Sequence, residues 1–252
     1  MKETPTIPDG FTSSCLLFIS LLGLCFIALF TLNAAVPVTD FPWRKSLIGS
    51  VFGSICVLGT LSALFSSRCS RILHFKIGNG RKTSNEAEPM SLKQKSLQFR
   101  GHHPSCGNFR AHVLVVADRT FCAGCLGLAL GGTVSFVGTF LYFLADISLT
   151  GEYLFVFWAG FVGVACGLLQ YHLLRFEKSF VHMFVNVIFV LGALMLLVGA
   201  DALTGSLPIL IYILALDIFW IYTRIALSQW NHSTICYKCK AEACPSYLRR
   251  SP

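Results

Sequence analysis

Charged side chains are scarce in this sequence. Only 13% of its 252 residues are Asp, Glu, Lys or Arg, where a soluble domain carries about a quarter. Several chemistries are also missing. No hydrolase elbow, phosphate loop or metalloprotease helix motif occurs. No pair of carboxylates is placed for acid–base work, because Asp217 is the lone acid at its depth in its apolar run. No internal repeat is visible, so the inverted-repeat plan of many transporters has no support. Residues 146–152 and 201–207 contain no Lys or Arg at all.

What fills the chain instead is apolar sequence, at 54% of the residues. About 20 consecutive apolar residues suffice to cross the hydrocarbon core as a helix. Six stretches pass that test: residues 13–36, 45–66, 123–145, 153–174, 179–200 and 207–227. Only helices or closed barrels satisfy their backbone groups in lipid, and these runs are too long and continuous for barrel strands. The fold class expected is an all-α membrane protein of six transmembrane helices. The first stretch is too long for the core of a signal peptide, and Lys2 is the only basic residue ahead of it.

Lys and Arg set the orientation. The loop 67–121 carries ten of them: Arg68, Arg71, Lys76, Arg81, Lys82, Lys93, Lys95, Arg100, Arg110 and Arg119. Lys2, Arg175, Lys178, Arg224, Lys238, Lys240, Arg249 and Arg250 fall on the same side, leaving only Arg44 and Lys45 on the other. Both termini are thereby expected in the cytoplasm of a cell-membrane protein. The net charge of +8 is then the positive-inside signal, with attraction to anionic headgroups beside it. The expected partners are the lipid bilayer and a cytoplasmic or membrane protein, not nucleic acid.

Four regions follow: residues 1–66 with two helices, 67–125 as a cytoplasmic loop, 126–228 with four helices, and 229–252 as a Cys-rich tail. Residues 78–97 are polar and aperiodic and carry Gly78, Gly80, Pro89 and mixed charge, which reads as a flexible linker. Order is expected to resume near Phe99. The pairs Gly49/Gly53, Gly127/Gly131 and Gly163/Gly167 are each four residues apart, a spacing that lets helices approach closely in lipid.

Two cysteine–histidine clusters carry the chemistry. In the first, two residues separate His103 from Cys106, fifteen separate Cys106 from Cys122, and two separate Cys122 from Cys125. Paired knuckles with such a spacer are a zinc-site signature. Zinc wants four soft or borderline ligands in a tetrahedron; two intervening residues make a tight turn, and the spacer must leave and return. Residues 111–116 read as a strand, 117–118 as a turn and 119–121 as a returning strand. The expectation is a small zinc ribbon with His103, Cys106, Cys122 and Cys125 as metal ligands. His102 is the alternative to His103, and His112 is read as a strand residue.

The second cluster is His232, Cys236, Cys239 and Cys244, without a hairpin-sized spacer. It can hold its own zinc or lend ligands to the first site. Its Cys-Pro ending resembles part of a ferredoxin run, so iron or an iron–sulfur cluster is the alternative cofactor, although the spacing departs from that run. Disulfides are not expected, because cytoplasmic thiols stay reduced. Cys15, Cys25, Cys56, Cys69 and Cys166 are scattered and read mostly as small core residues. Cys125 leads at once into the third helix, and the tail cluster follows the sixth closely, so the two clusters are expected to meet beneath the bundle.

The stretch 102–132 contains His-His-Pro-Ser-Cys-Gly-Asn-Phe from His102, then Phe121-Cys122-Ala123-Gly124-Cys125-Leu126-Gly127 and Gly131. It resembles an uncharacterised family of prokaryotic multi-pass membrane proteins with a His-Pro element followed by a Cys-Ala-x-Cys-x-Gly knuckle that opens a membrane helix. The resemblance covers about an eighth of the chain. It implies multi-pass topology and a metal knuckle, and no activity.

Inside the membrane, Asp217 defaults to a functional hypothesis. His182 and Asn186 share a helix face, Gln170 and His172 sit near the end of the fourth helix, and Arg224 lies two turns past Asp217. A polar site of Asp217, Asn186, His182 and His172 opening to the cytoplasm is one reading; a packing bond from Asp217 to Asn186 is the other. Three functions follow. A zinc module closed by four ligands has no open position for chemistry and serves as a docking or regulatory surface. Iron or cycling thiols would pass electrons. An ion or metal path would use Asp217.

Overall fold

The computed structural model describes residues 10–34, 42–64, 99–100, 103–104, 109, 112–116, 119–147, 151–171 and 178–239. The linker 78–97, His102, Cys106, His172 and Cys244 lie outside them, as do the side chains of His103, Cys236 and Cys239. The described chain is mostly helical: α1 (Gly10–Leu32), α2 (Arg44–Leu64), α3 (Ala123–Leu144), α4 (Tyr153–Leu169), α5 (Ser179–Thr204) and α6 (Leu207–Cys239). Five of these helices are long and apolar enough to cross a membrane. The exception is α4; its 17 residues span only ~25 Å against a hydrocarbon core of ~30 Å. Phe18, Leu29, Leu58, Val134, Phe155 and Phe184 stand exposed on the outside of the bundle, as a protein bathed in lipid requires.

In lipid, helices associate by close packing rather than by escaping water, and this sequence supplies glycine where the helices meet. A Cβ on Gly160 would overlap the backbone nitrogen of Leu196, and one on Gly192 would lie 2.9 Å from that of Val164. The α4/α5 interface is thus backbone against backbone. All three glycine pairs anticipated from spacing sit at contacts: Gly49 and Gly53 against Phe143 and Phe136 of α3, Gly127 and Gly131 against Met183 and Val187 of α5, and Gly163 and Gly167 against Gly192 and Phe189 of α5. Helix α1 is held to α6 by polar contacts. Ser20 Oγ and Thr223 Oγ1 are 3.0 Å apart, and Trp220 Nε1 donates to the Ser20 carbonyl at 3.2 Å.

One end of the bundle is a charge clamp. Arg44 at the start of α2 donates to Asp201 near the end of α5, and Tyr142 donates to the other carboxylate oxygen at 3.0 Å. Tyr142 lies in a π-helical turn, Phe140–Leu144, that ends α3. The wider turn lets the consecutive Tyr142 and Phe143 both face inward. Outside the clamp, Lys45 pairs with the exposed Asp146 at 2.5 Å, and that hydrogen bond and charge hold the Asp146 carboxyl below its usual range.

The opposite end carries the strands. Val113–Val116 (β3) pairs antiparallel with Arg119–Cys122 (β4), in the register Val113↔Cys122 to Val116↔Arg119. This is the hairpin that the spacer between the knuckles called for. A shorter pairing, Phe99–Arg100 (β1) with His103–Pro104 (β2), precedes it and was not anticipated. Cys122 ends β4 in extended conformation and is the N-cap of α3. The hairpin is therefore continuous with a bundle helix, with no linker between. The sixth helix also differs from expectation. Its apolar run ends near Leu227, but α6 continues to Cys239 as one rod of 33 residues. The start of the expected tail is thus helical.

Candidate functional site

At the strand end, side chains from four elements converge. The His112 N–H donates to the Phe109 carbonyl at 2.9 Å, a turn that sets both rings at the base of the hairpin. The His112 ring stacks on His182 of α5 with centroids 4.8 Å apart, and meets His232 of α6 edge-on at 5.3 Å. Phe109 covers the trio, 5.5 Å from His232 and 5.9 Å from His112. Tyr171, just past α4, lies 6.3 Å from His182. His112 and His182 are buried.

Cys122 of the first knuckle lies near the α5 residues beneath this patch. A Cβ on Gly124 would lie 3.8 Å from Cys122 Sγ and 4.0 Å from Asn186 Nδ2, so the thiol and the first turns of α5 flank one point. His232 of the second cluster packs on Phe109 and His112, both from the segment between Cys106 and Cys122. In α6, His232, Cys236 and Cys239 occupy positions i, i+4 and i+7. These three positions of the second cluster thus lie on helical backbone, and Cys244 lies outside the described residues. Among the described residues, no group of three or more His, Cys, Asp or Glu side chains is placed to hold a metal ion. His103, Cys106, Cys236, Cys239 and Cys244 contribute no described side chain to that comparison.

Below the histidines lies a buried arginine. Arg224 of α6 donates to the Gly167 carbonyl and to Asn186 Oδ1, and its guanidinium lies over the rings of Tyr171 and Phe189 at 5.4 and 4.8 Å. Gly167 is in the last turn of α4, where carbonyls lack intrahelical partners and the helix dipole is negative. Arg224 thus caps α4 from a neighbouring helix. Asn186 holds the arginine in place, its Nδ2 donating to the His182 carbonyl at 2.5 Å.

This arrangement corrects the packing alternative for Asp217. Asn186 is engaged by Arg224 and His182, not by Asp217. Asp217 is 3% exposed, and neither of its oxygens has a hydrogen-bond partner among the described residues. Both amide atoms of Gln170 are likewise buried and unpartnered there. Arg224 is two helical turns, about 10 Å, from Asp217, and its guanidinium is engaged by Gly167 and Asn186 instead. The polar site expected from Asp217, Asn186, His182 and His172 therefore divides: Asn186 and His182 belong to the strand end, Asp217 stands alone deeper in the bundle, and His172 is outside the described residues.

Three signals escaped the sequence reading. His112 was masked by its apolar neighbours, which read as strand. Gly192 lacks a glycine four residues away. Arg224 looked like an end residue because it lies near the end of the apolar run. Comparison with protein-family models, curated proteins and solved structures gives no match to this chain, so the resemblance of residues 102–132 rests on those residues alone.

Proposed function

We propose that this is a multi-pass membrane protein whose strand end faces the cytoplasm and holds a zinc-binding module that acts as a docking or regulatory surface. The observation that carries the reading is the junction at Cys122 and Cys125. A two-stranded hairpin delivers one thiol to the N-cap of α3 and the other to its first turn, which is the way a ribbon would be fixed rigidly to a membrane helix. His103 and Cys106 would complete the first site, and His232, Cys236, Cys239 and Cys244 would hold a second ion or lend ligands to the first. A closed set of four protein ligands supplies structure rather than chemistry. Metal would then order the hairpin and the surface it presents.

Metal content and visible absorption of the purified full chain test this. The expected result is a colourless protein with zinc bound, and Cys122→Ser losing one zinc equivalent. Full retention of zinc by that variant overturns the ligand assignment. A brown sample with iron and sulfide would replace the reading with electron transfer at the membrane face.

A second reading is favoured by the unpartnered oxygens of Asp217: an ion path through the bundle, with Asp217 as its intramembrane station. Flux in liposomes that is abolished by Asp217→Asn supports it. Equal flux in both forms, or none in either, removes it.

A further inference from the structure

We propose that Asp217 is a proton-binding site: its carboxyl is held neutral in the middle of the bundle, and the ion it takes and releases is a proton rather than a metal cation. The inference deepens the second reading above and rests on it for the path alone. The bound proton does not require that ions flow.

Depth and surroundings carry the argument. Asp217 lies ten residues into the span Leu207–His232. That is about 15 Å along the axis, half of a hydrocarbon core of about 30 Å. Its neighbours on the same face of α6, Ile213, Leu214 and Trp220, belong to the hydrophobic core. Both carboxyl oxygens are buried, and no donor among the described residues reaches either. The hydroxyls of Thr60 on α2 and Ser135 on α3 are buried without partners too, so neither bonds to Asp217. The buried arginines are engaged elsewhere, Arg44 with Asp201 and Arg224 with Gly167 and Asn186. Cys56 of α2, itself buried, is close enough to feel the charge of Asp217, but a thiol offers no positive charge in return.

A carboxylate in that setting has nothing to offset its lost hydration, and a bare buried ion is disfavoured by many orders of magnitude. Adding a proton at neutral pH to a carboxyl of ordinary acidity is disfavoured by only about a thousandfold. The smaller factor decides, and the group takes the proton. The same surroundings discriminate among ions. Zinc takes about four donor atoms, and magnesium or calcium about six or more. Asp217 supplies two oxygens, and no group of three or more His, Cys, Asp or Glu stands around it among the described residues. A proton needs a single oxygen lone pair.

Infrared absorbance of the full chain in detergent at neutral pH, taken as wild type minus Asp217→Asn, tests the bound proton directly. The expected difference is the carbonyl stretch of one protonated carboxyl. The antisymmetric stretch of a carboxylate in its place overturns the proposal. Asp217→Leu replaces Asp217→Asn if the latter does not elute like wild type on size exclusion. Proteoliposomes then separate the ion from the path, with a trapped pH dye reading proton entry and a trapped chelating dye reading manganese entry. Proton entry that Asp217→Asn abolishes, without manganese entry, is the expected result. Manganese entry that depends on Asp217 overturns the proposal while sustaining an ion path. The protonated band with no flux of either ion removes the path and leaves the proton site standing.

Discussion

Arg224 and Asp217 lie on one helix, both buried, and their environments predict substitutions of opposite sign. Arg224 has two hydrogen-bond acceptors on two other helices and two aromatic faces. A lysine cannot fork between Gly167 and Asn186. Arg224→Lys is expected to destabilise the protein by about 2–3 kcal/mol, the worth of a hydrogen bond to a charged group, read as a lower thermal midpoint in detergent. Asp217 has no hydrogen-bond partner to lose among the described residues. A charge at a helix centre in lipid costs about 2.5–3.5 kcal/mol on insertion scales, so Asp217→Leu should raise that midpoint; a drop would show that Asp217 has a structural partner. Both residues were legible in the sequence as charges in an apolar run. Their partners were not, because Asn186 is 38 residues from Arg224 and 31 from Asp217, and spacing cannot choose between them. His112 was less legible still: its meaning depends on residues 70 and 120 positions away.

Glycine decides the element scale. Gly192 faces the backbone of α4 with no room for a side chain, whereas a Cβ on Gly59 would meet nothing within 4 Å. Gly192→Val should cost at least the ~1–3 kcal/mol of an overpacked core, and Gly59→Ala should be nearly neutral; equal midpoints for the two would contradict the packing described here. The spans of α1, α2, α3 and α5 and the β3–β4 hairpin were readable in advance, because apolar length and a short β-branched run followed by a turn are local signals. The end of α6 was not. Hydropathy marks where hydrocarbon stops, near Leu227, and not where the helix stops. Residues 228–239 keep helical geometry with side chains that water tolerates, and this moved His232, Cys236 and Cys239 from a presumed tail onto a rod. The extent of α4 was overestimated for the complementary reason: apolar residues continue past Leu169, but the described helix ends there.

For the whole molecule, orientation is the consequential question, and the far-end clamp bears on it. Arg44 and Lys45 are the two basic residues that break the charge asymmetry, and each is paired with a carboxylate, Asp201 and Asp146. The far end therefore presents little unpaired positive charge to oppose the basic loop and tail. Alkaline phosphatase fused after residue 204 is expected to be active outside the cytoplasm, and the same enzyme fused at the C-terminus inactive; the reverse pattern would invert the topology and move both clusters into a compartment that favours disulfides.

The unbroken length of α6 has a mechanical consequence. A stiff rod turns small angles into displacements. His232 stands about 22 Å along the axis from Asp217, so a lean of about 10° pivoting there would carry its ring about 4 Å sideways, most of the distance that now separates it from His112. The bilayer end of this rod and its aromatic end cannot move independently. A change in membrane thickness or in the packing of α1 against α6 would be read out as the spacing between imidazoles.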